Sequence, residues 1–277
     1  MSFLTAGLGL GWQVIIELLV LGAFAGFLAG LLGIGGGMLM VPFMTLLLSS
    51  KAMPSQHIIK MAVATSLATI CFTSVASVRA HHQRGAVRWD IARLLAPGIV
   101  VGSLLGAQVA KALASQALAL LFAVFISFSA TQTFVKKKPK PTRQLPEAGG
   151  MLGAGGMIGG LAALVGAGGA FISVPFMTWC NVPIHNAVAT SAALGFPIAF
   201  AGAVGYIWAG WSVPDLPAGA LGFIYVPALL TIAAASVLTA PLGARAAHRL
   251  DVAQLQRVFA VMLYGLAGYM VYKAVTG

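Results

Sequence analysis

Two glycine-rich elements carry the residues best suited to chemistry: Gly33-Ile-Gly-Gly-Gly-Met-Leu-Met-Val-Pro42 and Gly166-Ala-Gly-Gly-Ala-Phe-Ile-Ser-Val-Pro175. Each breaks an apolar run, and helix is expected to resume near Met38 and Phe171. A helix start presents amide N–H groups without intrahelical partners and the positive end of the peptide dipole. Such an end holds an anion without a buried cation. Pro42 and Pro175 fall within the first turns or so, where a missing N–H costs little. The candidate binding residues are therefore Gly33, Gly35, Gly36, Gly37 and Pro42, with Gly166, Gly168, Gly169 and Pro175. A dinucleotide-binding fingerprint is not supported, because no strand or βαβ unit surrounds the glycines.

Hydroxyls form the second set. Thr65-Ser66 and Thr190-Ser191 follow Lys60 and His185 by five to six residues. About eight residues into a helix is about 12 Å of depth, which puts these pairs near the glycine tips. There they either donate to anion oxygens or bond back to helix carbonyls. Lys60 and His185 are either cationic gates on opposite faces or residues that snorkel to the interface. Asn186 is a weaker polar candidate. Glu17 is the only carboxylate near an apolar segment, so any proton coupling would run through Glu17 or His185. No nucleophile–base pair, His/carboxylate cluster or phosphate-binding Gly-Lys-Thr/Ser loop is present. No catalytic residue, metal or cofactor is expected. Cys71 and Cys180 read as small core hydrophobes.

The elements that position these residues lie in a membrane. Of 277 residues, 60% are hydrophobic and 8% charged, and the mean hydropathy is +0.97. Soluble domains carry about 25% charged residues, so this chain cannot cover a water-facing surface of its own size. The net charge of +11 lies in loops without interleaved aromatics, which favours topology signals over nucleic-acid binding. Residues 1–13 carry no Lys or Arg and run on into a full span, so a cleaved signal peptide is not expected.

The chain also repeats itself. Gly22–Thr45 and Gly155–Thr178, 133 positions apart, share thirteen of 24 residues. Ala62-Val-Ala-Thr-Ser66 recurs as Ala187-Val-Ala-Thr-Ser191, Gly85 and Asp90 as Gly210 and Asp215, and Gly106-Ala107 as Gly243-Ala244. Two homologous halves, 1–135 and 150–277, thus flank a basic linker, 136–149. Each has five apolar segments: 14–33, 37–50, 58–78, 93–110 and 116–135, then 150–166, 170–181, 185–208, 218–241 and 257–275. The second of each set is too short to cross about 30 Å of hydrocarbon comfortably, so the first two can form a re-entrant hairpin. The runs Gly22-xxx-Gly26-xxx-Gly30 and Gly98-xxx-Gly102-xxx-Gly106 read as close-packing faces.

Basic residues set the orientation. Arg79, Arg84, Arg88 and Arg93, the linker residues Lys136, Lys137, Lys138, Lys140 and Arg143, and Arg245, Arg249 and Arg257 share one side if the halves are inverted. Only Lys51, Lys60, Lys111 and Lys273 remain opposite. The expected fold is an all-α integral membrane protein of two inverted-topology repeats, with both termini external and the linker cytoplasmic. Trp12, Trp208 and Trp211 fall near span ends, as interfacial aromatics do.

At the paired Gly-x-Gly-Gly-(Gly/Ala)…Val-Pro elements, each followed by Ala-Thr-Ser, the chain resembles the TauE/SafE family of sulfite and organosulfonate exporters over nearly its whole length. The resemblance implies multi-pass transport in a bacterial inner membrane of small sulfur-containing anions such as sulfite, thiosulfate or sulfoacetate. Export is the expected direction, although the family also includes importers. The signature positions carried over are Gly33, Gly35, Gly36, Pro42, Thr65 and Ser66, with Gly166, Gly168, Gly169, Pro175, Thr190 and Ser191. The second half departs from full symmetry at Ala167 and Ala170. A non-transporting scaffold or regulatory subunit, binding a partner through the basic loops, is the alternative. Substrate identity, coupling and oligomeric state are left open.

Overall fold

A computed structural model describes residues 11–32, 37–49, 55–135, 143–246 and 252–276. The first half contains α1 (Trp12–Leu32), α2 (Gly37–Ser49), α3 (Ser55–Gln83), α4 (Trp89–Ala112) and α5 (Ser115–Val135). The second contains α6 (Ala148–Val165), α7 (Ala170–Trp179), α8 (Ile184–Gly210), a two-stranded hairpin, α9 (Val226–Ala246) and α10 (Val252–Thr276). Hydrocarbon offers backbone groups no water, so a spanning chain must satisfy them internally, and helix is the local solution. Among the described residues, eight helices are long and apolar enough to cross a membrane. The two others, α2 with 13 residues and α7 with 10, rise only about 20 and 15 Å. The chain is an all-α integral membrane protein, and side chains such as Val124, Leu238 and Val275 stand exposed on its outer surface.

Two glycine-faced contacts hold the periphery. α1 packs on α9, and α4 packs on α6. A Cβ on Gly22 would stand 2.6 Å from the Ile232 carbonyl oxygen, and one on Gly106 would stand 2.6 Å from that of Gly160. Backbone touches backbone there, and only glycine permits it. The long helices α3 and α8 pack together at the centre, α5 packs on α10, and the short α2 and α7 lie on α3 and α8 respectively.

Two side-chain bonds fix helix direction. Lys60 Nζ, near the start of α3, donates to the Lys111 carbonyl at the end of α4 (2.8 Å). Asn186 Nδ2, near the start of α8, donates to the Ala86 carbonyl just before α4 (2.9 Å). α3 and α8 therefore run in opposite directions. One end of the bundle holds Lys60, Lys111 and Lys273. The other holds Arg84, Arg88 and Arg143, whose guanidinium lies over the Trp179 ring at 4.6 Å. Trp12, Trp208 and Trp211 are all exposed at helix ends.

The expected helix over 218–241 starts late, at Val226. Before it, Ala220–Leu221 and Ile224–Tyr225 pair antiparallel. Gly219 and Gly222, at φ 84° and 55°, take the left-handed conformations that let the chain turn, so this stretch is hairpin rather than membrane helix. Its backbone is secured from inside, because the Tyr225 amide donates to Thr65 Oγ1 (3.0 Å). α3 also runs past its apolar stretch to Gln83, carrying Arg79, His81 and His82 out on helix.

Candidate functional site

The second glycine element turns within four residues. Gly166 caps the end of α6 at φ 69°, and the Ala167 amide reaches back to the Ala162 carbonyl (3.1 Å), a six-to-one closure typical of a left-handed cap. Gly169, at φ 73°, then starts α7, and its carbonyl accepts from the amides of Ile172 and Ser173. The turn lies against the first half. A Cβ on Gly166 would meet Val41 Cγ2 at 2.8 Å and the Val63 Cα at 3.1 Å. Ser66 joins the two broken segments: its hydroxyl is 2.9 Å from the Gly166 carbonyl and 3.3 Å from that of Gly37, the first residue of α2.

Ser191 occupies the position in α8 that Ser66 occupies in α3. Its hydroxyl lies 2.7 Å from Ser173 Oγ, and Ser173 Oγ donates to the Gly169 carbonyl (3.0 Å). A hydroxyl has one proton, so Ser191 is the donor to Ser173. The protons of Ser66, Ser173 and Ser191 are thus all directed at protein acceptors. The amides of Ala170 and Phe171 are not: neither has a backbone partner among the described residues. They open α7 with uncompensated N–H groups and the positive dipole end. Beside them, a Cβ on Gly168 would have one neighbour near 4 Å, Ile70 Cγ2 at 3.8 Å. Apart from Lys60, the buried polar side chains among the described residues are all hydroxyls.

Gly37, Ser66, Gly166 and Gly169 come together with Ser191, whereas the threonines do other work. Thr65 Oγ1 accepts from the Tyr225 amide, one residue before α9, and Thr190 Oγ1 accepts from the Arg88 amide, one residue before α4. Each threonine anchors the start of a helix in the opposite half. Pro42 and Pro175 fall at the sixth positions of α2 and α7, beyond the first turn. Each leaves the carbonyl four residues earlier, at Met38 or Phe171, without its helical donor. Gly33, Gly35 and Gly36 lie outside the described residues.

Lys60 is buried at one end of the bundle, away from this junction; His185 is exposed at the other, and Asn186 is spent on Ala86. Glu17 is exposed on α1. Both cysteines are free; Cys71 is half-buried, while burial of Cys180 pushes its thiol above the ordinary range. Sequence reasoning missed Ser173, whose signal was a serine four residues after Gly169 in an otherwise apolar turn. It also missed the buried Thr69, Thr73 and Ser74, which continue down α3 from Ser66 and bond back to its carbonyls.

This architecture defines a polytopic helical membrane protein in which two interrupted segments meet around buried hydroxyls and the opening amides of α7. The model of the Sulfite exporter TauE/SafE family matches residues 18–270, and the chain belongs to that family. It is 36% identical over 261 residues to a protein of Haemophilus influenzae named "Probable membrane transporter protein", covering 94% of this chain and 98% of the relative. A similarly named protein of Methanocaldococcus jannaschii is 24% identical, covering 91% and 92%. The Bacillus subtilis protein YunE, also named a probable membrane transporter, is 26% identical, covering 70% and 79%. No solved structure matches the chain. The protein is a multi-pass membrane transporter of the inner membrane.

Proposed function

We propose that the protein exports small sulfur-containing anions such as sulfite, sulfoacetate and other organosulfonates. The observation that carries this reading is the pair of amides, Ala170 and Phe171, that have no backbone partner among the described residues and open a short helix at the junction of the two broken segments. A tetrahedral, oxygen-rich head accepts hydrogen bonds from such amides and is attracted by the helix dipole. Ser66, Ser173 and Ser191 exchange their internal acceptors for anion oxygens when substrate enters. Gly33, Gly35 and Gly36, the repeat counterparts of Gly166, Gly168 and Gly169, are assigned the same role in the first half.

The halves 1–135 and 150–277 act as inverted repeats around the linker 136–149, and alternating access follows from one moving against the other. Reciprocal pairing supports this: α1 packs on α9 as its counterpart α6 packs on α4, while α3 and α8 pack on each other. In reconstituted liposomes, sulfite or sulfoacetate added inside or outside is expected to be carried by the wild type. Gly169→Val and Gly36→Val are expected to insert normally and carry neither. Undiminished flux in both variants would overturn the reading.

A further inference from the structure

We infer that a second anion-binding site lies at the Lys111 end of the bundle, in a cavity lined by Gln56, His57, Lys60, Ser115, Gln116 and Lys273, and that it takes a small oxyanion or sulfonate head. The site stands on the cavity itself; its role as an outer station on the transport route rests on the reading above.

The cavity measures about 340 Å³. A four- or five-heavy-atom oxyanion fits there with several waters, each of which occupies about 30 Å³. Among its described lining residues are two ammonium groups and no carboxylate. Lys60 is only 8% exposed and gives one N–H to the Lys111 carbonyl, out of three available. That bond also caps the end of α4. Lys111 itself adds a like charge close to Lys60. Asp215 acts on His57 electrostatically without lining the cavity. A positive charge this buried needs an opposite charge nearby, and the lining supplies none.

His57 points the same way. Its Nδ1 is buried without a hydrogen-bond partner among the described residues, and its ring lies 6.0 Å from that of Phe223. Ser115 Oγ is committed to the Gln56 carbonyl (2.6 Å), which joins the starts of α3 and α5. Both helices aim their positive dipole ends at this cavity. Under the orientation set by the basic loops the cavity faces outward, so it is the last protein contact for a departing anion and the first for an entering one.

The test uses the full-length detergent-purified protein and sodium sulfite or sulfate, with chloride holding ionic strength constant. Calorimetric binding is measured for the wild type, Lys273→Gln, His57→Phe and Gly169→Val. Lys273 lies at a helix end and is only part-buried, so its replacement leaves the fold intact. Lys273→Gln is expected to weaken binding roughly fivefold, the scale of removing one partly screened charge. Gly169→Val is expected to retain the Lys273-sensitive binding. Wild-type affinity in both Lys273→Gln and His57→Phe, or no oxyanion binding beyond chloride, would overturn the site. In liposomes Lys273→Gln is expected to raise the half-saturating external concentration and leave the maximal rate unchanged. Lys273-sensitive binding in a protein that transports no sulfur anion would sustain this site and remove the transport reading alone.

Discussion

The hydroxyl of Ser66 donates to the Gly166 carbonyl at 2.9 Å, joining residues 100 positions apart. That carbonyl ends α6, where the last turn of any helix has acceptors without internal donors. α3 therefore supplies from one half what a broken helix of the other half lacks. Movement of α6 and α7 against α3 has to break this bond.

Ser66→Ala removes the donor that the Gly166 carbonyl has among the described residues. The expected cost is about 1–3 kcal/mol of stability, read as a lower denaturation midpoint in detergent. Flux is expected to change too, because movement of α6 and α7 against α3 has to break this bond. A variant matching the wild type in both measurements would show that the bond contributes nothing.

Thr65 and Thr190 make the same bond in opposite directions, to the Tyr225 and Arg88 amides (both 3.0 Å). Replacement by valine keeps the shape and leaves each amide unpaired, at an expected cost of about 1–3 kcal/mol. Serine retains the oxygen, so Thr65→Ser and Thr190→Ser should recover most of the loss. Equal stability of the valine and serine variants in thermal unfolding would contradict the anchoring role.

Glycines sort by what a side chain would meet. At Gly26 a Cβ would stand 2.5 Å from the Ser236 Cα, and at Gly268 there is nothing within 4 Å. Gly26→Leu is expected to abolish the folded protein, since neither backbone at the α1–α9 contact can retreat. Gly268→Ala is expected to stabilise α10 by up to about 1 kcal/mol through helix propensity alone. Monodisperse yield and melting temperature of the two variants decide both.

Membrane residence and the apolar helices were legible because hydrocarbon imposes one backbone solution on any long apolar run. The glycine-xxx-glycine faces were legible because close packing requires small residues at that spacing. The hairpin at 220–225 was not: Phe223-Ile-Tyr225 continues an apolar run, and it is set apart from helix by the left-handed Gly219 and Gly222 together with the tertiary bond from the Tyr225 amide to Thr65. The threonine roles were hidden for the same reason. Hydroxyl identity is visible in the chain, but the amide that donates to it lies in the opposite half. Ser173 escaped notice because its counterpart in the first half is Met40, and repeat matching weights shared residues over differing ones.

The opposed directions of α3 and α8 give a topology that chemistry can read. In a background with Cys71 and Cys180 replaced, single cysteines go in at Lys273 and Arg84, at opposite ends of the bundle. Basic loops are retained on the cytoplasmic side, so the Arg84 end is expected inside. An impermeant thiol reagent added to intact cells should label Lys273→Cys and spare Arg84→Cys, and permeabilisation should expose the latter. Labelling of Arg84→Cys alone would invert the whole molecule in the membrane. Equal labelling of both in intact cells would place the two ends on one side and dismantle the inverted-repeat reading.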